Sequence, residues 1–424
     1  MEFKKHNFNK TKKPIVKKKN VKKEKDESVK LTKEQKFNEF KARGLTILQG
    51  KKKKFLSLRN IIVIVVLVLV ISFALIALSA PTGIVEYIST KTALMKSGEA
   101  FPVTYDFSPA KAIDYNSDSV LVATETELKC YNNSGNLIYS RIHGFEKPVI
   151  KTSKIRNLIY GLNESFYRIE TPRKEVVNKK TANNQPVIAG DIADCGVYAL
   201  ATESDDDIVL VTVYDKNGSE IYKYHSSNNY VTGVTLSENG KKVCIATVTT
   251  SKAVFESKVL VFDLKRSEPI YEKKFKDEII FAVEYSNSSD ICVITDKNYR
   301  NIDDDEITKE YSYKHKFLNK FEISEDNILL YITADSNSSN GSVVLLSPDG
   351  DEEAVFQTEG TFSDISVYDD RIFALGEKVF EYNTEGKKVK TTKIKSGAVA
   401  IQAMKKGCTV LYSTGVDLVQ WWQK

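Results

Sequence analysis

Cysteine, histidine and tryptophan are all scarce in this chain of 424 residues: five, four and two. The cysteines (Cys130, Cys195, Cys244, Cys292 and Cys408) are odd in number and form no Cys-x-x-Cys, so ligand pairs at zinc spacing are missing. The histidines (His6, His143, His225 and His315) stand alone, each read as a tail, surface or strand-edge residue rather than a general base. No His-x-x-Glu-His, Gly-x-Ser-x-Gly or P-loop is present. No catalytic, cofactor-binding or metal-binding residue is nominated, and no reaction follows from the sequence.

A different absence divides the chain. No charge occurs from Asn60 through Val85. Within that stretch Ile61–Ala80, IIVIVVLVLVISFALIALSA, has only Ser72 and Ser79 as polar residues, and both can bond back to helix carbonyls. Twenty residues rising 1.5 Å each span about 30 Å, the thickness of a bilayer's hydrocarbon core. The run predicts one transmembrane helix, with Ile61, Ile71 and Ala80 at its start, middle and end. Residues 1–59 hold 21 Lys/Arg against 6 Asp/Glu, a net of +15, and the remainder nets −9. Basic flanks stay on the cytoplasmic side, so the N-terminus is expected inside and residues 81–424 outside. A signal peptide cleaved after Ala80 is the rival reading, but its n-region would not approach sixty residues.

The tail before the run is rich in Lys and poor in apolar side chains, which predicts a mostly disordered segment. Thr32 with Gln35 resembles a capping box and Gly44 suits a helix stop, so one short helix is expected near 32–43, with Phe37 and Phe40 on one side. Three roles compete for the tail: a topology-setting element attracted to anionic lipid headgroups, a contact for a cytosolic partner through Phe37 and Phe40, or nucleic-acid binding. The last is set aside for want of aromatic interleaving and arginine. After the apolar run, Pro81 and Gly83 predict a helix end, and Ile84–Ser97 a short stem helix with Ile84, Ile88 and Met95 on one side.

From residue 101 the pattern changes to short runs of Val, Ile, Tyr and Thr between Asn, Asp, Ser and Gly turns, without long helical periodicity. Turns of one kind recur at Tyr131–Gly135, Tyr214–Gly218, Leu346–Gly350 and Tyr382–Gly386, spaced as multiples of about 40 residues. Four short strands per unit of about 40 predict an all-β fold, a β-propeller of eight blades with seven as the alternative. The units begin near Ala112, Pro148, Pro186, Tyr230, Glu278, Lys320, Thr361 and Ala398. The last holds three strands, and FPVTYDF at 101–107 is placed to supply the fourth. Cysteines in equivalent strands of different blades would then lie too far apart to bond. The acidic runs Asp205–Asp207 and Asp303–Glu306, and Asp335–Gly341, read as solvated loops; the last only vaguely resembles a calcium loop.

The repeat resembles quinoprotein-like and YVTN-type propellers. It lacks Gly-His…Trp-Asp pairs, and it lacks the tryptophan in nearly every blade that quinone docking requires; Trp421 and Trp422 are read as blade closure. The stretch Gly98-Glu-Ala-Phe101-Pro102, followed by SVLVATETELKCYNNSGNLIYS at 119–140, resembles an uncharacterised bacterial family of single-pass membrane propellers, domain of unknown function 5711. That resemblance implies location and fold, with no activity to carry over. The expected organisation is a basic cytoplasmic tail (1–59), a membrane helix (60–82), a stem (83–100) and an extracytoplasmic propeller (101–424) at the cell membrane. The expected role is binding or scaffolding of envelope proteins, with the lipid bilayer as the other partner and no cofactor or nucleic acid. Transmembrane signalling through the tail and a propeller enzyme without a recognisable motif are the alternatives.

Overall fold

The computed structural model describes residues 38, 58–79, 83–97, 101–105, 109–116, 118–286, 289–324, 326–335, 338 and 340–420. The chain divides into two units, residues 1–70 and 71–424. Helix α1 runs over Leu58–Ser79, with the apolar side chains of Ile61 to Ile71 exposed. Among the described residues, no helix is long and apolar enough to cross a membrane. Of the expected tail helix only Asn38 is described, and it is helical; Phe37 and Phe40 lie outside the described residues, as does Ala80. A second helix, α2, covers Ile84–Leu94.

Eight four-stranded antiparallel sheets follow. They are the eight blades of a β-propeller, which settles the choice between eight and seven. The innermost strands are Ala110–Asn116, Pro148–Thr152, Val187–Ile192, Tyr230–Leu236, Ile280–Tyr285, Phe317–Ile323, Asp364–Tyr368 and Ala398–Met404. The second strand of each blade is almost wholly apolar and buried, as in SVLVAT, NLIYG, ICVIT and ILLYIT, because neighbouring blades cover both of its faces. Outermost strands such as YEKKFK alternate buried and exposed residues, having one face on the rim. Eight apolar clusters hold the ring, one at each junction between neighbouring blades. Each fully buried Leu, Ile or Phe contributes about 1.5–3 kcal/mol over its exposed state.

The ring closes between the two ends of the domain. Val103 and Thr104 form the outermost strand of blade 8, opposite Val416 and Gly415. Tyr105 N–H then donates to Thr414 O at 2.7 Å and Ala110 N–H to Ser413 O at 3.1 Å, leading the chain into blade 1. Phe101 packs its ring 4.8 Å from that of Tyr131, and the Tyr105 and Tyr131 hydroxyls meet at 3.2 Å.

The turns divide into two faces. Turns joining first to second and third to fourth strands form one face, here called the stem face. Turns joining second to third strands, and the loops leading into each innermost strand, form the opposite, distal face. The recurring glycine turns all lie on the stem face. Gly386 has φ +74, a conformation that favours glycine, and a Cβ there would strike the Phe356 side chain. Cys244, Cys292 and Cys408 lie on second strands, as expected. Cys195 does not; a longer turn, from Ile192 to Tyr198, holds it before the strand. All five thiols are free.

Replacing Gly386 by Ala is expected to cost about 2 kcal/mol, from the left-handed backbone and the Phe356 contact together. Chemical denaturation checks it; Gly144→Ala, at φ +79 with open space around it, should cost less.

Candidate functional site

An innermost strand pairs along one edge only, so backbone N–H groups on its other edge need partners from elsewhere. One row of side chains supplies several of them. At the second pair from the hairpin turn in blades 2–6 and the third in blades 1, 7 and 8 stand Asp114, Lys151, Asp191, Thr235, Glu284, Glu322, Ser366 and Gln402, opposite Leu121, Leu158, Ala199, Cys244, Cys292, Leu329, Phe373 and Thr409. All eight are polar, one from each blade, and together they form a belt deep in the propeller's centre.

Most of the belt reaches forward to the next blade. Asp191 Oδ2 accepts from Leu236 N at 2.7 Å, and Glu322 Oε2 from Val367 N at 2.6 Å. Thr235 Oγ1 accepts from Tyr285 N at 3.4 Å, and Ser366 Oγ from Ala403 N at 2.7 Å. Asp114 takes bonds from the backbone and hydroxyl of Thr152. Glu322 Oε1 also accepts from Ser366 Oγ at 3.0 Å and from Gln402 Nε2 at 2.9 Å, which ties blades 6, 7 and 8 together.

Burial sets the electrostatics. It pushes the Asp114 carboxyl up to about 6 and Glu322 up to about 8, against the bonds that each accepts. Glu284 is also raised by burial, and Lys151 is raised chiefly by Glu284, with Asp191 and Asp114 adding to it. Lys151 is thus the counter-charge to three carboxyl groups. Ser366 spends its hydroxyl proton on Glu322 and its oxygen on Ala403 N–H, so it is engaged as a structural bridge. Among the described residues, no group of three or more His, Cys, Asp or Glu side chains could hold a metal ion.

The second constellation lies on the stem face, where α2 docks over blades 1 and 2. Arg156, in the first turn of blade 2, is buried and forms a two-pronged ion pair with Glu86, at 2.6 and 2.8 Å. Its remaining nitrogen bonds Lys216 O in a blade 3 turn. Lys91 pairs with Asp118. Asn132 Nδ2 donates to Leu94 O at 3.0 Å and Lys96 O at 3.1 Å, satisfying carbonyls at the helix end. Arg173 Nε donates to Ser89 O at 3.1 Å, and its Nη2 to Thr92 Oγ1 at 3.1 Å. Docking buries Thr90 and leaves Ile84 half-buried and Ile88 and Met95 exposed. Polar partners chose the face.

Ile61 and Ile71 lie in α1, apart from both constellations in sequence. His225 is not alone: its Nδ1 lies 2.6 Å from Asp207 Oδ2, and Ser227 Oγ donates to Asp207 Oδ1 at 2.5 Å. The cluster is on the exposed distal rim. His143 is half-buried, stacks on Phe145 and is pushed down to about 4 by burial, with Arg168 adding to it. Trp421 and Trp422 lie outside the described residues. The belt escaped the sequence reading, although each member stands between mostly apolar neighbours, as in Ile113-Asp-Tyr115, Val283-Glu-Tyr285 and Phe321-Glu-Ile323.

The Family of unknown function (DUF5711) matches residues 103–420. The chain belongs to that family. No curated protein matches it at a significant level. Among solved structures it is similar to BamB from Moraxella catarrhalis, at 12% identity and a TM-score of 0.50, covering 76% of this chain and 98% of that one. It is also similar to the Cps50 (Swd1) propeller domain of Myceliophteria thermophila, at 10% identity and a TM-score of 0.46, covering 75% and 98%. The first likeness shows the propeller fold alone.

Two outcomes test these constellations. In the fold Glu322 stays protonated up to about pH 8, whereas in the unfolded chain it ionises near 4.5. Unfolding therefore releases its proton between those values, and stability from this group falls as pH rises through them. Glu322→Gln should flatten the pH dependence of the melting temperature between about pH 5 and 8, while its amide nitrogen, which cannot accept from Val367 N–H, destabilises the fold by about 1–3 kcal/mol at low pH. On the stem face, Glu86→Ala and Arg156→Ala should each destabilise docking by about 1–3 kcal/mol and be strongly non-additive in a double-mutant cycle. Limited proteolysis between Pro81 and Gly98 reads that loss.

Proposed function

We propose that the protein is a single-pass membrane anchor for an extracytoplasmic propeller whose distal face binds a protein of the cell envelope. The observation that carries this reading is the polarity of the propeller itself. Its stem face is occupied by α2, which continues from the segment holding the apolar run Ile61–Ala80. The distal face carries exposed apolar side chains, among them Ile142, Tyr230, Phe255, Phe281, Phe317 and Val399. Large exposed apolar side chains mark interaction surfaces; on the propeller's stem side they are confined to Ile221, Ile270 and Ile307 at the outer rim.

Membrane anchoring is supported by the twenty uncharged residues, by the exposed apolar side chains of α1 and by the charge asymmetry across the run. The basic tail then lies at the anionic inner leaflet, where each nearby Lys or Arg contributes about 1 kcal/mol. Under this reading the propeller is a scaffold, and its centre is a structural belt.

A topology measurement tests the anchor. With an epitope after Lys424, external protease on intact cells should remove the propeller signal while a tag before Met1 stays protected. Protection of both ends would overturn the extracytoplasmic placement.

A further inference from the structure

Helix α2 lies flat on the stem face. Along its length Glu86 meets Arg156 in the first turn of blade 2, Arg173 in the outer turn of that blade meets Ser89 and Thr92, and Asn132 in the outer turn of blade 1 meets Leu94 and Lys96. These contacts hold one side of the helix, where Thr90 is buried. At 3.6 residues per turn, Val85, Ile88, Thr92 and Met95 fall within an arc of about 80° on the opposite side. All four are exposed, Val85 and Met95 at 80%. A helix packed on a domain ordinarily keeps such side chains against the core. Here polar groups face the propeller, and the three most exposed apolar side chains of α2 face away from it.

Chain continuity names what covers this stripe. Pro81-Thr82-Gly83 is all that separates α2 from the uncharged run ending at Ala80. Three residues reach at most about 11 Å, so a run seated in a bilayer holds the start of α2 at the bilayer surface. Charge agrees with that placement. A cavity of about 400 Å³ opens beside the last turn of α2, lined by Thr92, Ala93, Lys96, Ile138, Pro172 and Arg173. The Arg173 guanidinium donates to two neutral oxygens, Ser89 O and Thr92 Oγ1, which fix it without neutralising it. Lys96 and Lys174 are exposed, and none of these three cations makes an ion pair among the described residues. The acids that join α2 to the propeller are engaged, Glu86 with Arg156 and Asp118 with Lys91. The acidic turns of the stem face that hold Asp326, Asp369 and Asp370 belong to blades 6 and 7, across the ring.

We infer that α2 is an interfacial helix lying in the headgroup region of the bilayer, with Val85, Ile88 and Met95 turned into the lipid and the phosphate of an anionic lipid held in the cavity between Lys96 and Arg173. The inference deepens the membrane anchoring proposed above and rests on it. The apolar stripe supplies contact with the acyl boundary, and the unpaired cations beside it select anionic headgroups.

The test uses the full chain in nanodiscs, with an encoded fluorescent amino acid at Met95, Ile71 or Ile142 and doxyl-labelled lipid as quencher. Strong quenching is expected at Ile71 and Met95, and none at Ile142 on the distal face. Quenching at Ile71 without quenching at Met95 would refute the seated helix and leave the anchor standing; quenching at neither would refute both. Val85→Ser with Ile88→Ser should lower quenching at Met95 at least twofold. Doxyl-phosphatidylglycerol should quench Met95 about twofold more than doxyl-phosphatidylcholine at the same fraction, because the cavity concentrates anionic headgroups. Lys96→Glu with Lys174→Glu should erase that difference; neither side chain bonds α2 to the propeller, and unchanged limited proteolysis between Pro81 and Gly98 verifies docking. Equal quenching of the parent chain by the two lipids would overturn the headgroup site. Loss of the difference to inorganic phosphate at matched ionic strength would assign the cavity to a free anion and overturn it as well. A photo-crosslinker at Met95 that joins two copies of the chain instead of lipid would assign the stripe to self-association and overturn the inference.

Discussion

Closure of the ring is the constraint on which the rest of this molecule depends. Each blade has two apolar faces, and a sheet in the middle of an open row would still leave the faces at the row's ends in water. Only a closed circle gives every face a partner, and here closure falls to Val103 and Thr104 against Val416 and Gly415. That contact is short, so the segment around it is reinforced by Phe101 and Tyr105 packing on Tyr131. A consequence follows for the stem. Because the chain must arrive at the rim of blade 8 before it starts blade 1, α2 reaches the turns of blades 1 and 2, where Asn132, Arg156 and Arg173 receive it.

The belt shows how a propeller handles polar groups at its centre. Buried charges seldom add net stability, since desolvation offsets their attraction. Here Asp191, Glu322 and Ser366 sit where backbone N–H groups of the next blade would otherwise lack acceptors. An unsatisfied buried N–H costs about 1–3 kcal/mol, so carboxyl and hydroxyl groups at this position offset a cost that the topology creates.

The repeat was legible because its signals are local. Glycine turns such as Tyr214–Gly218 and Tyr382–Gly386 carry their own backbone requirement, and their spacing exposed units of about 40 residues. Eight units and a borrowed strand could be read from that. Strand starts in blades 1, 5, 6 and 7 fell two or three residues away, because Glu278 and Thr361 belong to the loops before the first ladder pair, while Ala110 and Phe317 begin pairing ahead of the residues expected. The belt was not legible, since a lone Asp or Glu between apolar neighbours looks like ordinary strand patterning until eight strands are set side by side. The Glu86–Arg156 pair joins residues 70 apart, and no short-range rule connects them.

Belt and apolar clusters share the work of joining neighbouring blades. Junctions 1–2, 3–4, 4–5, 6–7 and 7–8 are each crossed by a belt acceptor that bonds the next innermost strand. At junction 5–6 the belt residue is Glu284, raised by burial and drawn electrostatically to Lys151 on blade 2, with no bond to blade 6. Junctions 2–3 and 8–1 lack such an acceptor too, and all three are held by their apolar clusters, as 5–6 is by Ala282, Cys292 and Ile294 against Leu318, Ile328 and Leu330. The belt therefore supplies acceptors where its side chains can reach a backbone N–H of the next blade, and apolar packing alone carries the seams where they do not.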